Sequence, residues 1–461
     1  MHVRTLLRLL AALLALTLVA AACGDDDDGE SSESSDTTTT AAEATDETDE
    51  SDTAEDTDDE AAEDDEAEGD GAAPAGPPAE TDGFDGETIT LGFLTDQSGS
   101  LSILGVPLLA GSQAYWDSVN AEGGVAGMYP VEFETGDTKD EPATTVTEYQ
   151  RLKDDVVMFA EVLSTPPTQA LLEFLEEDNI VAVPGSLAGA WAGERRLLPN
   201  GTAYQYEMIN LADWFVNESG LGDLDSVACS VAVDDLYGEE GMAGLEYAAD
   251  ALGFELVEKA TIARGDTDFT ALVGDLNGAG CEVVYAVTVA TEQNGILGQA
   301  LGDGFEPVWL GALPSYISLF AGGAPDRYEN FYVALDSPDF NDVDVPGMAA
   351  FVEGWETHGT GDPANTFHLS GWFQQISVHA LLEKAIEMGD LSREGIEAAM
   401  ADLGEVDVMG LGADNYIYGL PEDRVPVSAS RVFQFDANNP PNLLTEIDLF
   451  DSELNADFPL F

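Results

Sequence analysis

What most constrains this chain is an alternation. From Thr88 to Leu335, short β-rich runs alternate with longer stretches of helical periodicity, and Gly, Asn and Asp mark the joins. "TITLGFLT" (88–95) reads as a strand. A helical pattern from about Val106 to Val119 then stops at "NAEGGVAG". Strand patterns return at 129–137, 156–162 and 179–185, with helical ones at 141–155 and 166–178 between them. After a linking stretch the rhythm restarts at "SVACSVAVDD" (226–235) and runs through "CEVVYAVTV" (281–289) to "NFYVAL" (330–335). Two such βαβα runs predict an α/β fold with two parallel sheets, each with helices on both faces. Further helical stretches at 345–359, 365–390 and 392–404 follow the second run, and the expectation is that they return to the first lobe. In doubly wound sheets ligands bind outside the carboxyl ends of the strands. The loops to watch are therefore 96–102, 163–168, 184–190, 234–238, 288–293 and 311–316.

The first residues follow different rules. Arg4 and Arg8 precede a short apolar run that exits through small residues to Cys23, the anatomy of a secretory signal. That run is too short for a confident membrane span. Ala21-Ala22-Cys23 resembles a bacterial lipobox, with Ala20 standing where Leu is usual. The resemblance implies cleavage before Cys23 and a lipid on its sulfur, worth about 0.8 kcal/mol per buried CH₂. From Gly24 to Glu87 the chain has 28 acidic residues, no Lys or Arg, and Phe84 as its one large apolar side chain. Such a stretch buries too little surface to offset chain entropy, so it is expected to be a disordered tether spanning roughly 45 Å.

The formal net charge is −77, and about −51 of it lies in residues 88–461. That balance argues against nucleic acid or an anionic membrane surface as partner. Cys229 and Cys281 form no C-x-x-C, and the four histidines have no ligand spacing, so neither a metal nor another cofactor is expected. His368 and His379 share one helical pattern and read as structural. No P-loop and no G-x-S-x-G is present, and nothing supplies a nucleophile–base pair, so the chain does not read as an enzyme. The strands carrying Cys229 and Cys281 are neighbours if the lobe is ordered 2-1-3. A disulfide is then one reading, and two buried thiols the other.

Four segments together resemble the type I periplasmic binding proteins: "GSQAYWDSVNAEGGVAG" (111–127), "LSTPPTQALLEFLEEDNIVAVPGS" (163–186), "VDDLYGEEG" (233–241) and "DTDFTALVGDLNGAGCEVVY" (266–285). The resemblance covers about 88–440 and is nearest to solute receptors of branched-chain amino acid and amide ABC importers. It implies two doubly wound parallel-sheet lobes joined by a three-crossing hinge, with crossings near 206–212, 334–342 and 412–432. The chain then divides into a signal peptide (1–22), an acidic tether (23–87), lobe 1 (88–208), lobe 2 (209–337), a return to lobe 1 (338–415), and a hinge and C-terminal segment (416–461). The implied function is an extracytoplasmic receptor, lipid-anchored on the outer face of the cell membrane. It would close on a small polar solute (an amide, an organic acid or an amino acid) and deliver it to ABC permease subunits. A ligand sensor of the same fold feeding a signalling partner is the alternative.

The resemblance also implies a site. Ser164 and Thr165 fill the position of a carboxylate-gripping hydroxyl, and Ser186 and Leu187 follow in the second loop. Their competing reading is plain loop capping. Ser98 and Ser100 are weaker candidates in the first loop, and Thr291 is one in lobe 2. Tyr237 falls where an aromatic ring covers the ligand, and otherwise reads as a core tyrosine. Trp191 and Tyr204 either wall the cleft or pack lobe 1. Receptors for branched-chain amino acids hold the α-ammonium with an acid on the loop that here reads Ala312-Leu313-Pro314. That apolar slot favours a neutral or purely anionic solute.

Overall fold

Strands of a parallel sheet are buried on both faces and so are apolar nearly throughout. The computed structural model, which describes residues 76–360 and 363–460, contains two sheets whose central strands are built this way. The signal peptide, Cys23 and most of the tether lie outside the described residues. In lobe 1 the elements run β1 (Ile89–Thr95), α1 (Ser102–Ala121), β2 (Val131–Asp137), α2 (Pro142–Leu152), β3 (Met158–Leu163), α3 (Thr165–Asp178) and β4 (Ala182–Gly185). The sheet is parallel with order β2-β1-β3-β4.

The chain then enters lobe 2 through α4 (Tyr204–Asn217), β5 (Ala228–Val233), α5 (Leu236–Leu252), β6 (Leu256–Ile262), α6 (Thr270–Ala279), β7 (Val283–Val287), α7 (Ala290–Asp303), β8 (Val308–Gly311), α8 (Ser318–Gly323) and β9 (Phe331–Leu335). It returns to lobe 1 with α9 (Pro346–His358), α10 (Thr366–Met388), α11 (Arg393–Ala401) and the short pair β10 (Glu405–Val406) and β11 (Tyr416–Ile417). β12 (Ser430–Phe435) and β13 (Leu444–Phe450) close the order of strands.

Glycine decides how the returning helices dock. A Cβ on Gly111 of α1 would fall 1.9 Å from the carbonyl oxygen of His368, and one on Gly371 of α10 1.9 Å from that of Leu108. Only bare backbone permits that crossing. Trp116 Nε1 donates to Gln375 Oε1 at 3.0 Å beneath it. The two histidines act locally. His368 Nδ1 accepts from the Asn365 N–H, half of a capping box that starts α10. His379 Nδ1 lies 2.9 Å from the Tyr115 hydroxyl.

Three expectations change. The tether ends early: Phe84 is 2% exposed, pairs with Thr81 and Ile89, and meets Tyr129 edge-on. The only large apolar side chain of that segment has a core to join, so residues 76–87 are held. The first crossing lies at Leu198–Tyr204, ahead of 206–212, because α4 packs along α5 and is already part of lobe 2. Finally, 416–461 is more than hinge and tail. β12 pairs antiparallel with β9 and with β13, giving a seven-stranded sheet, β13-β12-β9-β8-β7-β5-β6. Its two edges, β6 and β13, alternate half-buried and exposed residues and carry charges such as Lys259 and Asp448, which discourages pairing with another chain.

Cys229 on β5 and Cys281, just before the neighbouring β7, are joined by a disulfide with Cα atoms 5.8 Å apart. The bridge spans 52 residues. Chain-entropy arguments give about 4 kcal/mol for a loop of this size. The double variant Cys229→Ala/Cys281→Ala should therefore unfold at a clearly lower denaturant concentration, with an equal or steeper slope, because the uncrosslinked unfolded chain exposes more surface. Equal midpoints for the variant and the oxidised parent would contradict this.

Candidate functional site

The carboxyl ends of the two sheets face one another across a cleft of about 710 Å³, its mouth included. Lobe 1 brings Leu163, Ser164 and Thr165 from the β3–α3 turn, and Gly185, Ser186 and Leu187 after β4. Lobe 2 brings Tyr237, Arg264, Val289 and Leu313, one from the loop after each of β5, β6, β7 and β8. Leu101, Leu104 and Leu108 of α1, with Phe367 and Phe373 of α10, make one wall aliphatic and aromatic. The cleft is therefore an apolar chamber with a small polar end.

That end is built on a strained residue. Ser164 caps α3 with φ +81°, a conformation that L-residues rarely adopt. Strain of this kind, of order 1–3 kcal/mol, persists only where the surroundings impose it. Pro166 and Pro167 follow at once and start the helix without donating N–H groups. The hydroxyl of Ser164 is nearly buried and lies beside the Asp140 carboxylate, whose charged form it favours, without a hydrogen bond of full geometry among the described residues. It sits beside the positive end of the α3 dipole, where an anionic group is favoured. Ser186 Oγ accepts from Trp191 Nε1 at 3.0 Å, which leaves its own proton to donate.

The expected residues divide cleanly. Ser164, Thr165, Ser186, Leu187 and Tyr237 converge on the cleft, and Tyr204 joins them with its ring 4.4 Å from that of Tyr237. Tyr237 contributes its ring alone, because its hydroxyl donates to the Thr288 carbonyl. Ser98 is not brought in: it is exposed, and its hydroxyl donates to Asp137. Ser100 also turns outward, towards Asp140, and Leu101 takes the lining position. Thr291 is exposed in the first turn of α7, and Val289, two residues earlier, faces the cleft. Trp191 packs behind Ser186 and does not line the chamber.

Sequence reasoning missed Arg264, Asp336 and the α10 residues Ser370 and Gln374. A signal for Arg264 existed, since it is one of only 14 basic residues and follows a lobe-2 strand. Arg264 pairs with Asp235 of its own lobe and reaches Asp140 of lobe 1 at 3.6 Å, so it ties the two lobes together. Burial opposes its charge, yet Asp140 and Asp235 more than compensate and its pKa rises. Burial also raises Asp140 against the pull of Arg264.

A second tie is made by Glu240 of α5. Its carboxylate oxygens accept from the backbone N–H groups of Gly189 and Ala190 in lobe 1, at 2.8 and 3.2 Å. Burial pushes Glu240 up to about 7, against the opposing effect of those two N–H groups. At the hinge, burial pushes Asp336 up to about 6. Glu207 is fully buried and accepts from the Leu313 N–H at 3.2 Å. Its pKa rises well above the usual range through burial and the nearby Asp336. Loop 312–314 itself presents Leu313 and Pro314 to the chamber, and Glu207 stays behind that lining.

Comparison with known proteins places this geometry. A family profile described as "Periplasmic binding protein" matches residues 88–440. The fold is similar to that of a fatty acid ABC transporter substrate-binding protein from Thermomonospora curvata, with a TM-score of 0.75 and 24% identity over 84% of this chain and 97% of that one. It is similar to a branched-chain amino acid ABC transporter protein from Thermus thermophilus with bound valine, with a TM-score of 0.71 and 19% identity over 80% and 98% of the two chains. A branched-chain amino acid transporter substrate-binding protein from Streptococcus pneumoniae in complex with isoleucine gives a TM-score of 0.63 and 19% identity over 78% and 100%. No curated protein matches the chain in sequence.

Glu240 makes lobe closure sensitive to pH. Opening returns its carboxyl to water and to its ordinary value of 4.5, whereas in the closed form it titrates near 7. The closed form thus holds the proton more tightly. This contribution to closure is full below the ordinary value and is lost as pH rises through about 7. Solute affinity, measured by calorimetry across that window, should fall by up to about two orders of magnitude towards higher pH. Glu240→Gln should flatten the difference, and an unchanged profile in the variant would assign the dependence elsewhere.

Proposed function

We propose that this chain, which belongs to the periplasmic binding protein family, is the extracytoplasmic receptor of an ABC importer for amphipathic carboxylates, closing its two lobes on an aliphatic acid and handing it to permease subunits. The observation that carries the reading is the chamber itself. Leucine and phenylalanine side chains line its length, and Ser164, Thr165 and Ser186 stand at one end beside the α3 N-terminus. An aliphatic chain leaves water along that wall, at roughly 25 cal/mol per Å² buried. Its carboxylate meets hydroxyl donors and the positive end of the helix.

The named ligands of the similar structures fit this chemistry: a fatty acid, valine and isoleucine are all carboxylates with apolar bodies. Among these, the chamber favours the acid without an α-ammonium. Loop 312–314 offers Leu313 and Pro314, and Glu207 already accepts from the Leu313 N–H. An ammonium left there without a partner is costly. Cys23 is the proposed lipid attachment that keeps the receptor at the membrane. Among the described residues no helix is long and apolar enough to cross one.

Binding, mutagenesis and localisation each test the proposal. Native mass spectrometry of the purified protein should find a bound aliphatic acid, and calorimetry should give micromolar or tighter affinity for a medium-chain monocarboxylate, about −8 kcal/mol or better. Leucine, isoleucine and valine should bind far more weakly, and micromolar binding of any of them would overturn the preferred class. Ser164→Ala should weaken the acid about tenfold, the size of one lost hydrogen bond to a charged group. Tyr237→Phe should leave affinity nearly unchanged, since that hydroxyl faces Thr288, whereas Tyr237→Ala should lower it steeply. Cys23→Ser should release the protein from cell membranes into the medium, and a variant that stays bound would show that the anchor is something else.

A further inference from the structure

A second, partly open cavity, of about 500 Å³ with its mouth included, lies beside the chamber. The two share Ser186, Leu187, Asn200 and Gly201 as a common wall. The rest of its lining is largely apolar, with Trp191, Ala192, Tyr416 and Val427 prominent. One charge borders it, that of Arg424, which is 9% exposed. Its Nε donates to the Gly419 carbonyl at 3.1 Å. Its Nη1 donates to the carbonyls of Trp191, Ala192 and Glu194 at 3.3, 3.2 and 2.9 Å, which secures the 3₁₀ turn Gly189–Gly193.

That structural role accounts for two of the three guanidinium nitrogens. Nη2 has no hydrogen-bond partner among the described residues. Nor does any described carboxylate lie within ion-pair distance of Arg424, whereas Arg196, Arg264, Arg393 and Arg431 each reach one. Burial lowers Arg424 to about 10, so it keeps its charge at neutral pH. In a chain with 91 acidic and 14 basic residues, a covered guanidinium without an ion pair stands out, although the more distant Glu194 charge acts on it. Buried charges are ordinarily paired, and here an unpartnered, covered nitrogen belongs to a side chain in the wall of a largely apolar cavity.

We propose that this cavity is an anion subsite, in which Arg424 receives the carboxylate of an organic acid whose body packs against Trp191, Tyr416 and Val427. Two sources share that chemistry. One is the far end of the solute in the main chamber, reached through the common wall, which would make the preferred cargo an α,ω-dicarboxylate; this arm rests on the function proposed above. The other is a separate small acid that binds while the chamber is occupied.

Bromide reads the subsite without any assumption about the solute. Crystals of the protein soaked in sodium bromide should show an anomalous peak at Arg424 Nη2, and Val427→Phe, which fills the cavity and leaves Arg424 in place, should abolish it. The absence of a peak there, or its persistence in Val427→Phe, overturns the proposal. Calorimetry then separates the sources. If the solute spans both spaces, a dicarboxylate should bind at least tenfold tighter than the monocarboxylate of equal carbon number, and Arg424→Gln should erase the gap. If the acid is separate, benzoate should bind protein already saturated with a monocarboxylate, and Val427→Phe should block it. If the folded parent binds a monocarboxylate and yet shows neither behaviour, the subsite is overturned. A bromide peak without binding of any aliphatic acid would instead refute the function proposed for the chamber and leave the anion subsite standing.

Discussion

Three strands of backbone cross between the lobes, and one carboxylate sits where they meet. Asp336, just past β9, accepts from the Thr202 N–H at 3.0 Å and so joins the second crossing to the first. Thr202 in turn donates its hydroxyl to the Ala429 carbonyl at 2.6 Å, which brings in the third. Tyr416 and Tyr418 reinforce the junction: the Tyr416 hydroxyl accepts from the Gly201 N–H, and that of Tyr418 donates to Asn200. Burying a carboxyl here is unfavourable, as the rise of Asp336 to about 6 records. Its hydrogen bond offsets part of that. The chamber exists because this junction sets two separately folded sheets edge to edge with their carboxyl ends opposed.

The chain's acidity shapes how the lobes hold together. Acids greatly outnumber bases, so cations cannot supply most of the ties between lobes. Arg264 is shared by Asp235 and Asp140, one from each lobe. The other tie, from Glu240, uses backbone N–H groups at the start of a 3₁₀ turn in place of a cation. Partial positive charges at the ends of helical turns thus do work that Lys or Arg does in a more balanced chain. The same logic favours the α3 N-terminus, in place of a free basic side chain, as the seat for a ligand carboxylate. It also makes the unpaired guanidinium of Arg424 conspicuous.

The parts of the site legible in sequence were those attached to a local pattern. Ser164 and Thr165 sit between a buried strand and a Pro-started helix, so their place at a strand end could be read directly. Ser186 and Tyr237 follow strands in the same way. Ser98 and Thr291 went astray because loop register is invisible: a shift of one or two residues moves a side chain from the chamber to solvent, and Val289 and Leu101 hold the places instead. Asp336, Asn200, Phe367 and Gln374 come from hinge and returning helix. The approach of that helix depends on Gly111 meeting the backbone of His368 and Gly371 that of Leu108, contacts between segments about 260 residues apart in the chain.

The sequence by itself determined the alternation of strands and helices from β1 to β9, the α/β architecture with two sheets and the apolar character of the central strands, because each follows from short-range periodicity and composition. Tertiary structure alone decided where the tether stops, since Phe84 needed a core to enter. It decided that β12 and β13 complete the second sheet, since antiparallel partners far along the chain leave no local mark. It also decided which carboxylates are raised, because a pKa depends on what surrounds a group and not on its neighbours in the chain. Glu240 and Glu207 look alike in a helix of the sequence. One faces the backbone of the opposite lobe and the other lies sealed behind Leu313, and desolvation together with the donors each can reach sets them apart.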